Sequence, residues 1–491
     1  MAIVCRLLAF NDVKMMVTVL YALIIIATIV IIIKQKNDPV KALGWITVIA
    51  LLPVAGLAFY ILFGRNHRKE KIFNLKELDD LQQFEEISRE QLAVISNPDP
   101  LLRQSIVDNK DIITLLLNNN KSLLTMKNRV TVLNNGKATF AAIIEALKSA
   151  RTFIHMEYYI FENDRIGRKI AKILMDKARA GVEVRFIYDD VGSWGLNRKF
   201  RKQMRAAGVD VRCFMRVAFP WLTSRVNYRN HRKIVVVDGQ VAFTGGINIA
   251  DRYLRRTRRL GAWRDTHLKI EGDAVAMLNI VFSTDWYFVS DRQKLDDYKK
   301  YFPPSRVNEE IPMQIASSGP DSDWASIMQA FFAAITRAKK YIYISSPYFL
   351  PNQAILTALK VAALSGIDVR VMIPSRSDSK IVYWATRSYI GELLEAGINV
   401  YLYKRGFNHS KVIMIDGEFS SVGTANMDMR SFEDNFEVTA IMYDRQIARE
   451  LEGYFMKDLA GSTKMTMEMW ENRRKLHSVY EALARLLSPL L

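Results

Sequence analysis

One short pattern occurs twice in this chain, and the two occurrences agree at every spacing. The first is His231-Arg232-Lys233, four residues, Asp238, and then Gly245-Gly246-Ile247-Asn248. The second is His409-Ser410-Lys411, four residues, Asp416, and then Gly423-Thr424-Ala425-Asn426. In both, His to Asp is seven residues and Asp to the first Gly is seven residues. The chain has six histidines, and two of them hold the same place in the repeat. The surrounding texture repeats as well. A predicted helix 140–150 leads to a strand 152–161, and a helix 325–339 leads to 341–349. The strand Val182 to Tyr188 is matched by Ile367 to Ile373, and Ala207 to Val211 by Ala396 to Val400. A unit written twice predicts two similar lobes. Short β-branched strands alternating with helices predict α/β layers around a largely parallel, buried sheet.

Ile234 to Val237 and Val412 to Ile415 read as strands, and Asp238-Gly239 and Asp416-Gly417 as tight turns into the next strand. On a strand, residues i and i+2 share a face, so each His is expected beside its Lys. An imidazole next to an ammonium suits a phosphate: the ring attacks or moves a proton, and the cation offsets charge on the non-bridging oxygens. Asn248 and Asn426 are candidate neutral donors, and the glycines before them allow close backbone approach.

The first 70 residues read differently. Met15 to Ile33 and Ala42 to Gly64 are uncharged apolar runs, each near the ~20 residues that cross a bilayer as a helix. A polar turn, Lys34 to Lys41, joins them, so a transmembrane hairpin is expected over about 15–33 and 42–64. Trp45 and Tyr60 are candidate interfacial anchors. The first run is too long for a signal peptide, and no small-residue cleavage site follows it. Arg65, Arg68, Lys69 and Lys71 place residues 65 onward on the cytoplasmic side. Residues 71–125 read as helical linker. The net charge of +18 favours anionic partners, such as lipid, phosphorylated substrates or nucleic acid. Cys5 and Cys213 are the two cysteines, which supports neither a disulfide framework nor a cysteine-based zinc site.

The paired H-x-K-x4-D motifs with a downstream G-[GST]-x-N resemble the phospholipase D superfamily over roughly residues 126–475. Asn227 to Lys233, Trp263-Arg264-Asp265-Thr266-His267, Ser346-Pro347-Tyr348-Phe349 and the segment Phe63-Gly64-Arg65-Asn66 are similar to bacterial cardiolipin synthases in particular. So is the C-terminal Arg485 to Leu491.

The resemblance implies two tandem α/β sandwich lobes meeting at a pseudo-twofold axis, here 126–305 and 306–475, with a C-terminal amphipathic tail at 476–491. It implies a catalytic set of His231, Lys233, Asp238, His409, Lys411 and Asp416. Asn248 and Asn426 support it, and Asp265 and Glu437 are carboxylates that fix the histidine tautomers. The implied reaction takes two phosphatidylglycerols to cardiolipin and glycerol through a phosphatidyl-histidine. His231 is assigned as nucleophile and His409 as acid/base by analogy alone. Their pKa values are expected to split, since the attacker must be neutral and the donor protonated. No metal and no cofactor are expected.

The expected partners are phosphatidylglycerol and cardiolipin in an anionic bacterial cell membrane, and not nucleic acid. Phe219-Pro220-Trp221-Leu222 is a further candidate for the membrane interface, and the amphipathic segment 476–491 is another. One departure from the family pattern is Arg252, Arg255, Arg256, Arg258 and Arg259, which suits contact with anionic headgroups. The rivals are a membrane-tethered phospholipase D that uses water, a nuclease, and an inactive lipid-binding scaffold. The last is disfavoured because both motifs are intact.

Overall fold

The computed structural model describes residues 2–34, 39–60, 80–96, 103–217, 228–290, 292–293, 295 and 297–488. The N-terminal helices form one unit and the two lobes together form another. Phe219 to Leu222 and the basic cluster 65–71 lie outside the described residues.

Helix Ala2–Lys34 contains the whole first apolar run. The second run is divided into helices Pro39–Leu51 and Pro53–Phe59. Pro53 has no N–H to continue the ladder and starts a new helix instead. Ile32, Ile49 and Tyr60 bury one another, and Trp45 meets Tyr60 edge-on at 5.6 Å. Leu20, Leu23, Ile33, Leu51 and Val54 stay exposed. Among the described residues no helix is long and apolar enough to cross a membrane. The second expected span is broken at Pro53, and its end falls outside the described residues.

The first lobe has strands β1 (Asn128–Asn134), β2 (Phe153–Tyr158), β3 (Glu183–Asp189), β4 (Asp210–Phe214), β5 (Lys233–Val237), β6 (Val241–Gly245), β7 (Ala262–Arg264) and β8 (Thr266–Gly272). The second has β9 (Met313–Ser318), β10 (Tyr341–Ser345), β11 (Phe349–Leu350), β12 (Asp368–Pro374), β13 (Asn399–Tyr403) and β14 (Gly406–Asn408). It continues with β15 (Val412–Ile415), β16 (Phe419–Gly423), β17 (Met427–Asp428), β18 (Glu437–Met442) and β19 (Ser462–Lys464).

The first sheet runs β1-β8-β6-β5-β2-β3-β4, and the second runs β9-β18-β16-β15-β10-β12-β13-β19. Strand for strand the order is the same, with β19 added at one edge. The expectation of a largely parallel sheet is corrected. Only β2–β3, β3–β4, β10–β12 and β12–β13 pair in parallel within these sheets. The motif strands β5 and β15 are joined to β6 and β16 by hairpins, which force antiparallel pairing.

All five residues of β5 are buried. The reason is that both faces of each sheet are covered, as a continuous apolar run suggests. One face of β5 packs Val235 and Val237 into the outer core of the first lobe. The other face packs Ile234 and Val236 into a core shared with Met372, Val412, Met414 and Val438 of the second lobe. The two sheets therefore press their inner faces together, and the motif strands run at that junction.

The segment read as linker is partly built into the second lobe. Helix Lys110–Asn120 buries Ile112, Ile113, Leu116 and Leu117 against Ile327 and Phe331. Ser122 Oγ then donates to the Ile315 carbonyl of β9 at 2.7 Å.

Candidate active site

Both motif histidines sit just before their strands, in segments whose main chain bonds to the other lobe. The His231 N–H donates to the Phe436 carbonyl at 2.9 Å, and the His409 N–H donates to the Arg264 carbonyl at 2.7 Å. Strand β7 pairs with β14 in parallel between the lobes, bringing Arg264 opposite Asn408. Each histidine is thereby stitched to the loop that carries the other lobe's carboxylate.

The side chains follow the backbone. His231 Nδ1 lies 2.9 Å from Glu437 Oε2, and His409 Nδ1 lies 2.8 Å from Asp265 Oδ2. Glu437 and Asp265 hold equivalent places, since β18 pairs Thr439 with Gly423 and β8 pairs His267 with Gly245. The two pairs are thus related by the repeat, and each spans both lobes. A carboxylate accepting from Nδ1–H leaves Nε2 with the lone pair.

Supporting contacts fix each carboxylate. Thr424 donates its hydroxyl to Glu437, and Asn435 Nδ2 lies 3.3 Å from it. Asp265 accepts the Thr266 N–H at 2.7 Å. A Cβ at Gly246 would come within 2.1 Å of Asp265 Oδ1, so the glycine there makes room for the acid. Thr424 is its counterpart in the second repeat and bonds the carboxylate instead.

The lysines are buried and differ in their contacts. Lys233 Nζ donates to the His231 carbonyl at 2.6 Å and faces the Tyr159 ring at 5.5 Å. Lys411 Nζ donates to the His409 carbonyl at 2.8 Å and also stands 3.1 and 3.2 Å from the two ring nitrogens of His409. The near-equal distances place the ammonium over the face of the His409 ring. Among the described contacts, the His231 ring has no lysine so placed.

Burial dominates the electrostatics. It drives His231 down to about 4, with Lys233 and Lys411 adding to the shift against the pull of Glu437. It holds His409 well below its ordinary value, again with a lysine, Lys411, beside it. Burial lowers Lys233 to about 7 and Lys411 to about 8, and raises Asp265 to about 6. Burial also pushes Glu437 upward, but His231 and Lys233 more than offset it and its carboxyl is lowered. Lys411 acts on His231 and Lys233 acts on His409, so the two motifs share one site. Burial beside the lysines thus lowers both histidines, His409 as well as His231.

Two further expectations change. Asp238 and Asp416 do not join this site. Each lies at the far end of its motif strand, about 3.3 Å per residue and so roughly 20 Å from the histidine. Asp238 accepts the N–H groups of Arg151, Thr152 and Phe153 at 2.8–2.9 Å, and Asp416 those of Lys339, Lys340 and Tyr341 at 2.7–2.9 Å. They tie the start of β2 and β10 to the motif hairpin. Both adopt positive φ, 51° and 55°, followed by Gly239 and Gly417 at 64° and 71°. This is the Asp-Gly turn expected between those strands.

Asn248 is buried, but its Oδ1 accepts the Ile160 N–H at 3.1 Å and its Nδ2 donates to Tyr253 Oη at 2.8 Å. It steadies Tyr253, whose ring is 5.9 Å from His409. Asn426 is also buried, with its amide against Asp428. The rings around the histidines were not singled out from the sequence. Tyr159 meets His231 at 4.9 Å, and Trp263 and Tyr348 meet His409 at 5.4 and 6.5 Å. Trp263 and Tyr348 lie within the two stretches noted for the resemblance, which was the available signal.

Comparison with known proteins agrees with this geometry. The family profile described as "Cardiolipin synthase, PLD-like domain" matches residues 143–286 and 331–459. One described as "Phospholipase_D-nuclease N-terminal" matches 22–65. A "Cardiolipin synthase" of Alkalihalophilus pseudofirmus is 44% identical over 482 residues, covering 96% of this chain and 93% of its own. The "Major cardiolipin synthase ClsA" of Bacillus subtilis is 39% identical over 479 residues, covering 97% and 99%. Among solved structures, the phosphatidylserine synthase of Haemophilus influenzae shares the fold, with TM-score 0.58 at 12% identity over 79% of this chain and all of that one.

Proposed function

The chain belongs to the cardiolipin synthases of the phospholipase D type, and on that premise we propose that it joins two phosphatidylglycerols through His231 and His409. As a cardiolipin synthase it is a phosphatidyltransferase. The observation that carries the proposed roles is the crossed pairing of His231 with Glu437 and of His409 with Asp265.

His231 is the nucleophile. Its Nε2 attacks the phosphorus, an N–P bond forms, and the P–O bond to the glycerol headgroup breaks. The departing oxygen takes a proton from His409. A headgroup hydroxyl of the second phosphatidylglycerol then gives its proton to His409 and attacks phosphorus, and the N–P bond breaks. The asymmetry of the lysines supports this order. Lys411 stands over the His409 ring, at nearly equal distances from its two nitrogens, whereas Lys233 is bonded to the main chain and leaves the His231 ring open. Burial and the lysines lower both histidines, so His409 gains its proton as substrate binds. The negative phosphodiester between two lysines supplies the reason, since it offsets the cations that oppose the charge on the ring. Lys233 and Lys411 carry the phosphate charge, with no step routed through a metal.

We further place the N-terminal helices in the cytoplasmic membrane of a bacterium as a hairpin, with the lobes on the cytoplasmic side. The exposed apolar faces of these helices and the basic cluster after residue 64 support it.

Full-length protein incubated with phosphatidylglycerol alone in mixed micelles tests the reaction. Cardiolipin and glycerol are expected by mass, and neither from His231→Ala nor from His409→Ala. Phosphatidic acid as the sole product would move the acceptor to water.

A further inference from the structure

Helix Lys475–Leu486 lies against helix Lys380–Arg387 with its polarity reversed. The side turned to the protein carries Glu481 and Ala484, with Ser488 just beyond, all buried. Glu481 accepts from Arg473 Nε at 2.9 Å and stands 3.7 Å from Arg387 Nε. The opposite side carries Leu476, Val479, Leu483 and Leu486, which are 58, 51, 58 and 77% exposed. Their spacing of three, four and three residues puts them on one stripe. A helix on a water-facing surface turns such a stripe to the core, and this one turns it outward.

The stripe is continuous with the rim of the active site. Trp384 packs on His477 and Tyr480 at 4.9 and 5.4 Å, and Ile381, one turn earlier, is 47% exposed. The loop before that helix holds the arginine segment of the first lobe. Arg259 Nη2 donates to the Ser377 carbonyl at 3.2 Å, and Arg376 Nη1 donates to the Arg259 carbonyl at 3.3 Å. In the same loop Asp378 accepts from Tyr348 Oη at 2.7 Å, and the Tyr348 ring faces His409.

We propose that this strip, from the leucine stripe through Ile381 to Arg255–Arg259, seats the catalytic lobes on an anionic lipid bilayer with the His409 side of the site at the lipid surface. The chemistry of the strip selects the occupant. Apolar side chains fit the headgroup–acyl boundary, and the exposed cations Arg376, Lys380, Arg474 and Lys475 beside them fit anionic headgroups. A second copy of the same surface would bring like charges together. The inference rests on the reading that the substrate is bilayer lipid, but its first test does not depend on turnover.

That test uses the full-length chain with Cys5→Ser and Cys213→Ser, carrying one fluorophore at Leu483→Cys, Arg256→Cys or, as control, Lys172→Cys. The protein is placed in nanodiscs containing phosphatidylglycerol, with or without brominated acyl chains. Bromine is expected to quench the Leu483 label several-fold and leave the Lys172 label unchanged, with Arg256 between them. A Leu483 label no more quenched than the control overturns the proposal. So does a blue-shifted label that bromine does not reach, which would mean that protein covers the stripe. As a second measure, Leu483→Asp combined with Leu486→Asp should raise the apparent KM for bilayer phosphatidylglycerol several-fold and leave kcat on a detergent-dispersed short-chain substrate unchanged. No change in either, or an equal loss in both, counts against it.

Discussion

Glu437 opens a strand of the second lobe, yet the ring it holds at 2.9 Å is His231 of the first. Asp265 does the reverse for His409 at 2.8 Å. Neither lobe can orient its own histidine, so the duplicated chain makes one site rather than two.

The crossed pairs predict coupling across the lobes. Glu437→Gln keeps an acceptor for Nδ1–H but not the charge that steadies the imidazolium, and kcat should fall by about 10²–10⁴-fold. Combined with His231→Ala, the losses should be strongly non-additive, since the two act as a unit. Additive losses in a double-mutant cycle would place Glu437 outside that unit.

The order of the histidines is testable with a phosphatidyl donor that has a good leaving group, such as p-nitrophenol. His409→Ala should still release one equivalent of p-nitrophenolate in a burst and keep the phosphatidyl group on the protein, because that leaving group needs no proton. His231→Ala should give neither. A burst from His231→Ala, with label on His409, would reverse the assignment.

The pH dependence of kcat/KM should be bell-shaped. Burial raises Asp265 to about 6, so below that pH the carboxylate takes a proton and His409 loses its charged partner. Burial lowers Lys233 to about 7 and Lys411 to about 8, so above those values the site loses the cations that hold the phosphate. Both limbs can be read from initial rates, and Asp265→Asn should remove the acid limb. An acid limb that survives in Asp265→Asn belongs to another group.

Asp238→Ala should lower stability and spare the chemistry. It removes three N–H···O contacts of roughly 1 kcal/mol each and leaves a non-glycine residue at positive φ. A fall in Tm of several degrees is expected, with kcat changed only a few-fold at a temperature where the variant is folded. Thermal melts and rates on the same sample decide it. A loss as deep as that of His231→Ala would make the aspartate part of the catalytic machinery.

The sequence by itself determined the repeat, and through it two lobes of matching strand order, the paired His and Lys groups, and the Asp-Gly turns. These are legible because they depend on local spacing: the period of a strand, the turn a glycine permits, and a motif met twice. Sheet direction was misread because alternating helices suggested crossovers, while the motif strands are in fact joined by hairpins. The role of Asp238 was hidden because its partners, Arg151 to Phe153, lie far away in the chain. Only the tertiary structure decided which carboxylate serves which histidine, since that pairing exists only where two loops from different lobes exchange hydrogen bonds. It alone also decided that both rings are buried beside lysines and that the last helix turns its leucines outward. Burial and the facing of a helix depend on what packs against a residue, and no spacing along the chain specifies that.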